Sequence, residues 1–261
     1  MVFTMVCLLA VLSVVSADPL WVRTYGNPFG GFDEVHAIGA DDSGNVVISG
    51  LSDMSQNDEE FVTIKYKPNG DTAWLRHFNP GSDRDGATAL AVDRSGNVII
   101  TGYIGVSTSQ YGDWVTIKYS AVGESLWAAT WDLGDEDRPW SVVVDSAGNS
   151  YVAGTAGSLN DFDFAVVKYD PAGNEAWVFN YDGGANDMAT AVTVSRQGNA
   201  YATGYTVRSG IYGDLMTWKL GLGGESLWAN IYEGPAGRHD RGQALAVDGL
   251  GAVLVTGTSQ D

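Results

Sequence analysis

Ala91-Val-Asp-Arg-Ser-Gly-Asn-Val-Ile-Ile-Thr-Gly102 is two short apolar runs joined by a five-residue polar turn. The β-branched residues on either side favour extended backbone, and the Gly-Asn pair accepts the positive φ that a tight hairpin demands. The stretch returns as Val144-Asp-Ser-Ala-Gly-Asn-Ser-Tyr-Val-Ala-Gly154. Its two glycines recur six residues apart as Gly44/Gly50, Gly96/Gly102, Gly148/Gly154, Gly198/Gly204 and Gly251/Gly257.

A second motif keeps step with the first. Lys65, Lys118, Lys168 and Lys219 are each followed five residues later by Gly70, Gly123, Gly173 and Gly224, and four residues after that by Trp74, Trp127, Trp177 and Trp228. Together with Trp21 these tryptophans mark a period of 50 to 53 residues. Each unit reads as four short strands; in the second unit they are 88–92, 98–101, 114–119 and 125–130, with turns at 93–97 and, in the first unit, 68–70. No segment has helical periodicity with caps. A four-stranded antiparallel unit of this length in tandem is a propeller blade, so the expected fold is all-β, about four and a half β-propeller blades. The units are 22–74, 75–127, 128–177, 178–228 and a partial 229–261. They form either an open arc, which the sequence favours, or an incomplete five-bladed ring completed by the strand at Trp21.

The paired motifs, the Asp-x-x-Gly-Asn hairpin and the Lys-Tyr-x3-Gly-x3-Trp tail, resemble bacterial seven-bladed beta-propeller repeats over nearly all of 21–261. The resemblance implies fold and export and carries no signature reaction. Ser195, Leu220 and Ala252 depart from the pattern and are expected to weaken their turns while leaving the fold.

The first residues carry an apolar run without charge and then Val15-Ser-Ala17, small at both positions that a signal peptidase reads, although the usual basic residue is missing. Cleavage is expected after Ala17, with 18–261 the mature domain, secreted or at the cell surface and with no membrane span. The single cysteine, Cys7, falls in this leader. The formal net charge of −18 belongs to the residues after it and argues against nucleic acid as a partner.

The five tryptophans Trp21, Trp74, Trp127, Trp177 and Trp228 are expected to wedge between neighbouring blades. The register lysines are expected to lay their stems on apolar surface and pair with carboxylates. All variation in loop length falls at one end of the blades, at 52–60, 103–113, 162–163 and 205–214, where acids and tyrosines gather. At that end Asp33, Asp85, Asp137, Asp187 and Asp240 each stand eight residues ahead of the first hairpin. They would make a partial carboxylate ring suited to Ca²⁺, or else serve their own turns.

Catalytic motifs are absent: His36, His77 and His239 share no metal-ligand spacing, no Gly-x-Ser-x-Gly occurs, and no cofactor is indicated. The sequence therefore reads as a non-enzymatic exported scaffold offering its acidic loop face to a protein or glycan. The alternative is an extracellular polysaccharide lyase or hydrolase, or a quinone-linked dehydrogenase, with its site at the channel mouth. Convergence there of one His, one Arg and two acids would favour that alternative; the candidates are Arg84, Arg138, Arg238, His239 and Arg241.

Overall fold

The computed structural model describes residues 20–260 apart from 28–29, 56–57, 81–83, 106–111, 135, 159–160, 209–211 and 236, so the expected leader lies outside the described residues. Four antiparallel sheets follow one another along the chain, each with its strands in sequence order. They are β1 (Asp33–Ala40), β2 (Val46–Ser55), β3 (Asp58–Tyr66) and β4 (Thr72–Phe78); β5 (Gly86–Val92), β6 (Val98–Tyr103), β7 (Trp114–Tyr119) and β8 (Ser125–Trp131); β9 (Arg138–Val144), β10 (Ser150–Ser158), β11 (Asp161–Tyr169) and β12 (Glu175–Tyr181); β13 (Met188–Val194), β14 (Ala200–Thr206), β15 (Asp214–Leu220) and β16 (Ser226–Tyr232). A two-stranded sheet, β17 (Asp240–Val247) and β18 (Val253–Ser259), comes last. Each outermost strand runs on for several residues past its tryptophan, so the repeat period and the blade boundary differ in phase.

Both recurring glycines have a physical reason. The turn glycines hold left-handed backbone, as at Gly96 with φ 77°. The second glycine lies opposite a bulge in the innermost strand, where a carbonyl comes in close: a Cβ at Gly204 would sit 1.7 Å from the Met188 oxygen, and one at Gly102 2.1 Å from that of Gly86.

The core lies between blades. Val47, Phe61 and Trp74 of the first pack on Val98, Ile100 and Tyr119 of the second. Ile99 and Trp114 meet Val152 and Val167 of the third, and Tyr151 and Phe164 meet Ala189 and Leu220 of the fourth.

The rims of the first four blades are pinned in the same way. The indole N–H of Trp21, Trp74, Trp127 and Trp177 donates to the carbonyl of Pro68, Ala121, Pro171 and Leu222 in the next blade's outer turn, at 2.9–3.1 Å. The ring covers that turn's glycine so closely that a Cβ at Gly70, Gly123, Gly173 or Gly224 would come within 2.6–2.8 Å of it. Trp74, Trp127 and Trp177 thus stand as the expected wedges and Trp21 sits likewise on the first blade's outer turn, whereas Trp228 is exposed and makes no such bond among the described residues.

The innermost strands β1, β5, β9, β13 and β17 pack one on the next, but among the described residues β1 and β17 do not pack on each other in that way. The blades form an open arc. Trp21 and Tyr25 lie over Val62, Ile64 and Tyr66 at its leading face.

The lysine expectation holds for half of the set. Lys65 Nζ is 2.9 Å from Asp41 and Lys118 Nζ 3.4 Å from Asp93, both lysines buried. Burial alone would raise the Asp41 carboxyl, but hydrogen bonds from Asn45 and Lys65 outweigh it and hold it at about 2. In the next two blades the residue across the strand from the lysine is Tyr151 or Tyr201, where the first two have Val47 and Ile99. There Lys168 and Lys219 stand over those rings, at 5.0 and 5.4 Å. The Ser195 and Asp248 turns keep their backbone hydrogen bonds despite the departures from pattern.

Candidate functional site

The loops joining outer strand to inner strand, and those leaving each second strand, meet at the variable end of the arc. The five aspartates stand there, and the structure shows what they hold. Asp137 accepts from Leu133 N at 2.8 Å and Gly157 N at 2.9 Å, tying the incoming loop to the outgoing one. Asp187 does the same with Gly183 N and Val207 N. Asp85 accepts from Gly105 N and Asp240 from Gly234 N, while Asp33 accepts from Asn27 N and the Ser52 hydroxyl. Asp85, Asp137, Asp187 and Asp240 have no exposed surface. Burial pushes the Asp137 carboxyl up to about 6 against these two N–H bonds, with Asp132 and Asp113 adding to the rise, and it raises Asp187 as well.

These are loop staples. Among the described residues no three of the five bring their carboxylates within 4.8 Å of one another, whereas Asp161, Asp163 and Asp182 do. That trio could offer oxygen ligands to a hard cation. It lies in the third blade, at the start of β11 and after β12, with Asn180 donating to Asp163 at 2.6 Å.

The candidate arginines scatter. Arg84 lies 3.8 Å from Glu59, between the first two blades. Arg138 stacks on Tyr103 of the blade before it and on Trp140 of its own strand, at 5.4 and 4.2 Å. Arg241 stacks on Tyr205 at 4.7 Å. His239 belongs to a different group. Its Nδ1 accepts from Gly213 N at 3.1 Å, and its ring meets the Tyr212 ring edge-on with centroids 5.2 Å apart.

Tyr212 is one wall of a pocket of about 280 Å³ that Arg208, Asp214, Glu233 and Gly237 also line. Arg208 donates to Asp214 Oδ2 at 2.9 Å, and this bond, with Asp214 and Glu233 close by, holds the guanidinium firmly charged. One arginine and two carboxylates thus line one hollow, with a histidine against its aromatic wall. The larger hollow, about 620 Å³, is lined mainly by the apolar and aromatic side chains of β15, β16 and β18 and by no carboxylate, histidine or basic group.

The sequence reading placed His239 and the 205–214 loop at this end but missed Arg208 and Glu233. Glu233 stands five residues after Trp228, as Asp132 and Asp182 stand after Trp127 and Trp177, but Arg208 lies in a loop of variable length, where a single residue carries no periodic signal.

No protein-family model and no curated protein matches the chain. Solved structures do resemble it. A gluconolactonase from Xanthomonas campestris is 13% identical, with a TM-score of 0.46, covering 85% of this chain and 69% of its own. A protein of unknown function from Dyadobacter fermentans is 11% identical, with a TM-score of 0.45, covering 81% of this chain and 71% of its own. A putative gluconolactonase is 11% identical, with a TM-score of 0.39, covering 85% of this chain and 75% of its own.

The class is therefore a β-propeller protein, all-β and built of four-stranded blades. Two of the structures just named are gluconolactonases by name, and the expectation of a non-enzymatic scaffold, and of a chain that is no enzyme, is corrected on that account. At these identities the likeness extends to the fold and transfers no substrate and no residue.

Proposed function

We propose that the chain is a hydrolase whose site is the pocket between the β14–β15 loop and the loop after β16, at the variable end of the arc. The observation that carries this reading is the convergence of Arg208, Asp214 and Glu233 with Tyr212 around one small hollow.

The parts divide the work of ester hydrolysis among them. Glu233 is exposed at the pocket wall, where a carboxylate can take a proton from the attacking water and return it to the alkoxide that leaves as the ester C–O bond breaks. Arg208 supplies fixed positive charge for the oxyanion that forms as the carbonyl is attacked, and Asp214 sets the direction of the guanidinium. The Tyr212 ring offers a flat apolar wall to a compact ring-shaped substrate, and its contact with His239 keeps it in place. A volume near the low end for small-molecule sites fits a single sugar-sized ring and no long polymer.

The apolar leader and the confinement of the one cysteine to it support export, and the spacing of the two motifs supports kinship with bacterial propeller repeats. Among the described residues no helix is long and apolar enough to cross a membrane.

The test is turnover of a panel of sugar lactones, acetylated sugars and aryl esters by purified 18–261. Glu233→Gln is expected to lower kcat by about 10²-fold or more with little change in KM. No turnover of any member, or turnover that Glu233→Gln leaves unchanged, overturns the proposal.

A further inference from the structure

A side chain beside the pocket holds the pocket wall in place in only one of its charge states. At the variable end consecutive blades are joined by a repeated backbone bond: the N–H of Asp85, Asp137, Asp187 and Asp240 donates to the carbonyl of Glu59, Gly112, Phe162 and Gly213 in the blade before, at 2.6–3.0 Å. At the last two of these junctions the residue ahead of the aspartate closes a second bond in the opposite direction: Asn186 Oδ1 accepts from Phe162 N at 3.2 Å, and His239 Nδ1 accepts from Gly213 N at 3.1 Å. Both accepting atoms are bonded to the Cγ of their side chains, so the two residues grip the same loop position in the same way. They differ in one respect. An amide oxygen accepts at any ordinary pH, whereas an imidazole nitrogen accepts only while it carries no proton.

The Gly213 N–H can only donate, so Nδ1 is the bare nitrogen of a neutral ring and the ring proton sits on Nε2. Protonation sets Nδ1–H against Gly213 N–H, two donors with no acceptor between them. The bond is lost at the point that carries Tyr212, whose ring meets that of His239 edge-on, and Asp214, which holds Arg208.

We infer that neutral His239 is a positioning residue that latches the 212–214 segment to the start of β17, and that its protonation releases this wall of the pocket in acid. As a control on turnover the latch rests on the hydrolase reading; as a bond between two blades it stands apart from it. The titratable and charged groups around the imidazole are Tyr212, Arg208 and Asp214 from the β14–β15 loop, Glu233 from the loop after β16, and Arg238, Asp240 and Arg241 on either side in its own segment. His239→Asn leaves all of these in place, puts an oxygen where Nδ1 was and removes the titration.

The test follows the Gly213 and Phe162 amides of purified 18–261 by nuclear magnetic resonance between about pH 8 and pH 5, the range over which imidazole changes charge. Hydrogen exchange is read as protection relative to an unstructured chain, so that the pH dependence of exchange itself cancels. Protection at Gly213 is expected to fall about tenfold on acidification, as for the loss of one hydrogen bond, in step with the His239 ring resonances. Phe162, held by Asn186, should keep its protection and is the control within the same molecule. His239→Asn should keep Gly213 protected across the range, and His239→Leu, with no acceptor, should leave it weakly protected at both ends. Where a substrate is turned over, the rise of KM in acid should be shallower in His239→Asn than in the unmodified chain. A Gly213 amide that keeps its protection at pH 5 overturns the proposal. So does a loss that His239→Asn repeats, which would assign the titration to a neighbouring carboxylate, and so does one that Phe162 shares, which would be a general loosening of the variable end. A latch that titrates as expected in a protein that turns over nothing supports this inference and overturns the hydrolase reading alone.

Discussion

Removing the ammonium of Lys65 should cost far more than removing that of Lys219, although the two occupy the same place in the repeat. Lys65 is 2% exposed; its Nζ lies 2.9 Å from Asp41 and donates to the carbonyls of Gly96 at 3.1 Å and Ala121 at 3.4 Å, joining two blades. Lys65→Met keeps the stem but strands a buried carboxylate and two carbonyls. Breaking such a pair from one side costs about 3–5 kcal/mol, and the lower end applies because Asp41 retains the backbone N–H groups of Ser43 and Asn45 and the Asn45 amide. Lys219 has Ser195 where an aspartate would stand and rests over Tyr201 at 5.4 Å, a contact worth about 0.5–1 kcal/mol. Urea unfolding at pH 7 should therefore show Lys65→Met losing roughly 2 kcal/mol more than Lys219→Met, with similar m-values. Since the Lys65 bond helps hold the Asp41 carboxyl at about 2, the deficit of Lys65→Met should narrow as pH falls from about 4 toward 2, while that of Lys219→Met should not. Equal losses in the two variants would refute the reasoning.

Gly123→Ala and Gly251→Ala both place a side chain at positive φ, 85° and 89°, but a Cβ at 123 meets Trp74 at 2.8 Å and one at 251 meets open space. Thermal melts should show a loss of about 1–2 kcal/mol for Gly251→Ala and roughly 1–3 kcal/mol more for Gly123→Ala from the overpacked indole. Thr101 and Thr116 share a buried hydroxyl contact at 3.2 Å, and the third blade has Ala153 and Val166 in the same places. Thr101→Ala alone should cost about 1–3 kcal/mol, and adding Thr116→Val should recover most of it in a double-mutant cycle. Stability should peak near pH 4. Asp137, raised by burial to about 6, keeps a proton that the unfolded chain has lost, so stability falls as pH rises from about 4 to 6. Asp41, held at about 2, and Asp93 and Asp145, also lowered, lose their stabilising contacts as pH falls from the ordinary 3.8 toward that value. Urea midpoints from pH 2.5 to 8 that rise steadily to neutrality would contradict this.

The blade was legible because its constraints repeat. A turn that needs positive φ, a glycine opposite a bulge and a tryptophan over the next turn appear at fixed spacing, and the strands of the second unit were placed to within two residues at each end. The lysine partners were only half legible: a carboxylate pairs with Lys65 and Lys118, but a tyrosine across the strand takes over at Lys168 and Lys219, an exchange that needs the register to be seen. The aspartate ring misled in part, since a shared position at the variable end says nothing of direction, and each carboxylate turns toward its own loops. Arg208 and Glu233 stayed hidden because they come from two loops of the fourth blade that meet only once β15 and β16 are paired, with Leu215 across from Tyr232.

The account rests most heavily on the open arc, in which β1 and β17 do not meet. With the sole cysteine at position 7, outside 18–261, spin labels at Ile38→Cys on β1 and Ala246→Cys on β17 of 18–261 report on this alone. Pulsed electron resonance should give a separation well beyond the roughly 10 Å at which facing sheets pack. A distribution centred near that packing distance would mean a closed five-bladed ring, and would contradict the arc.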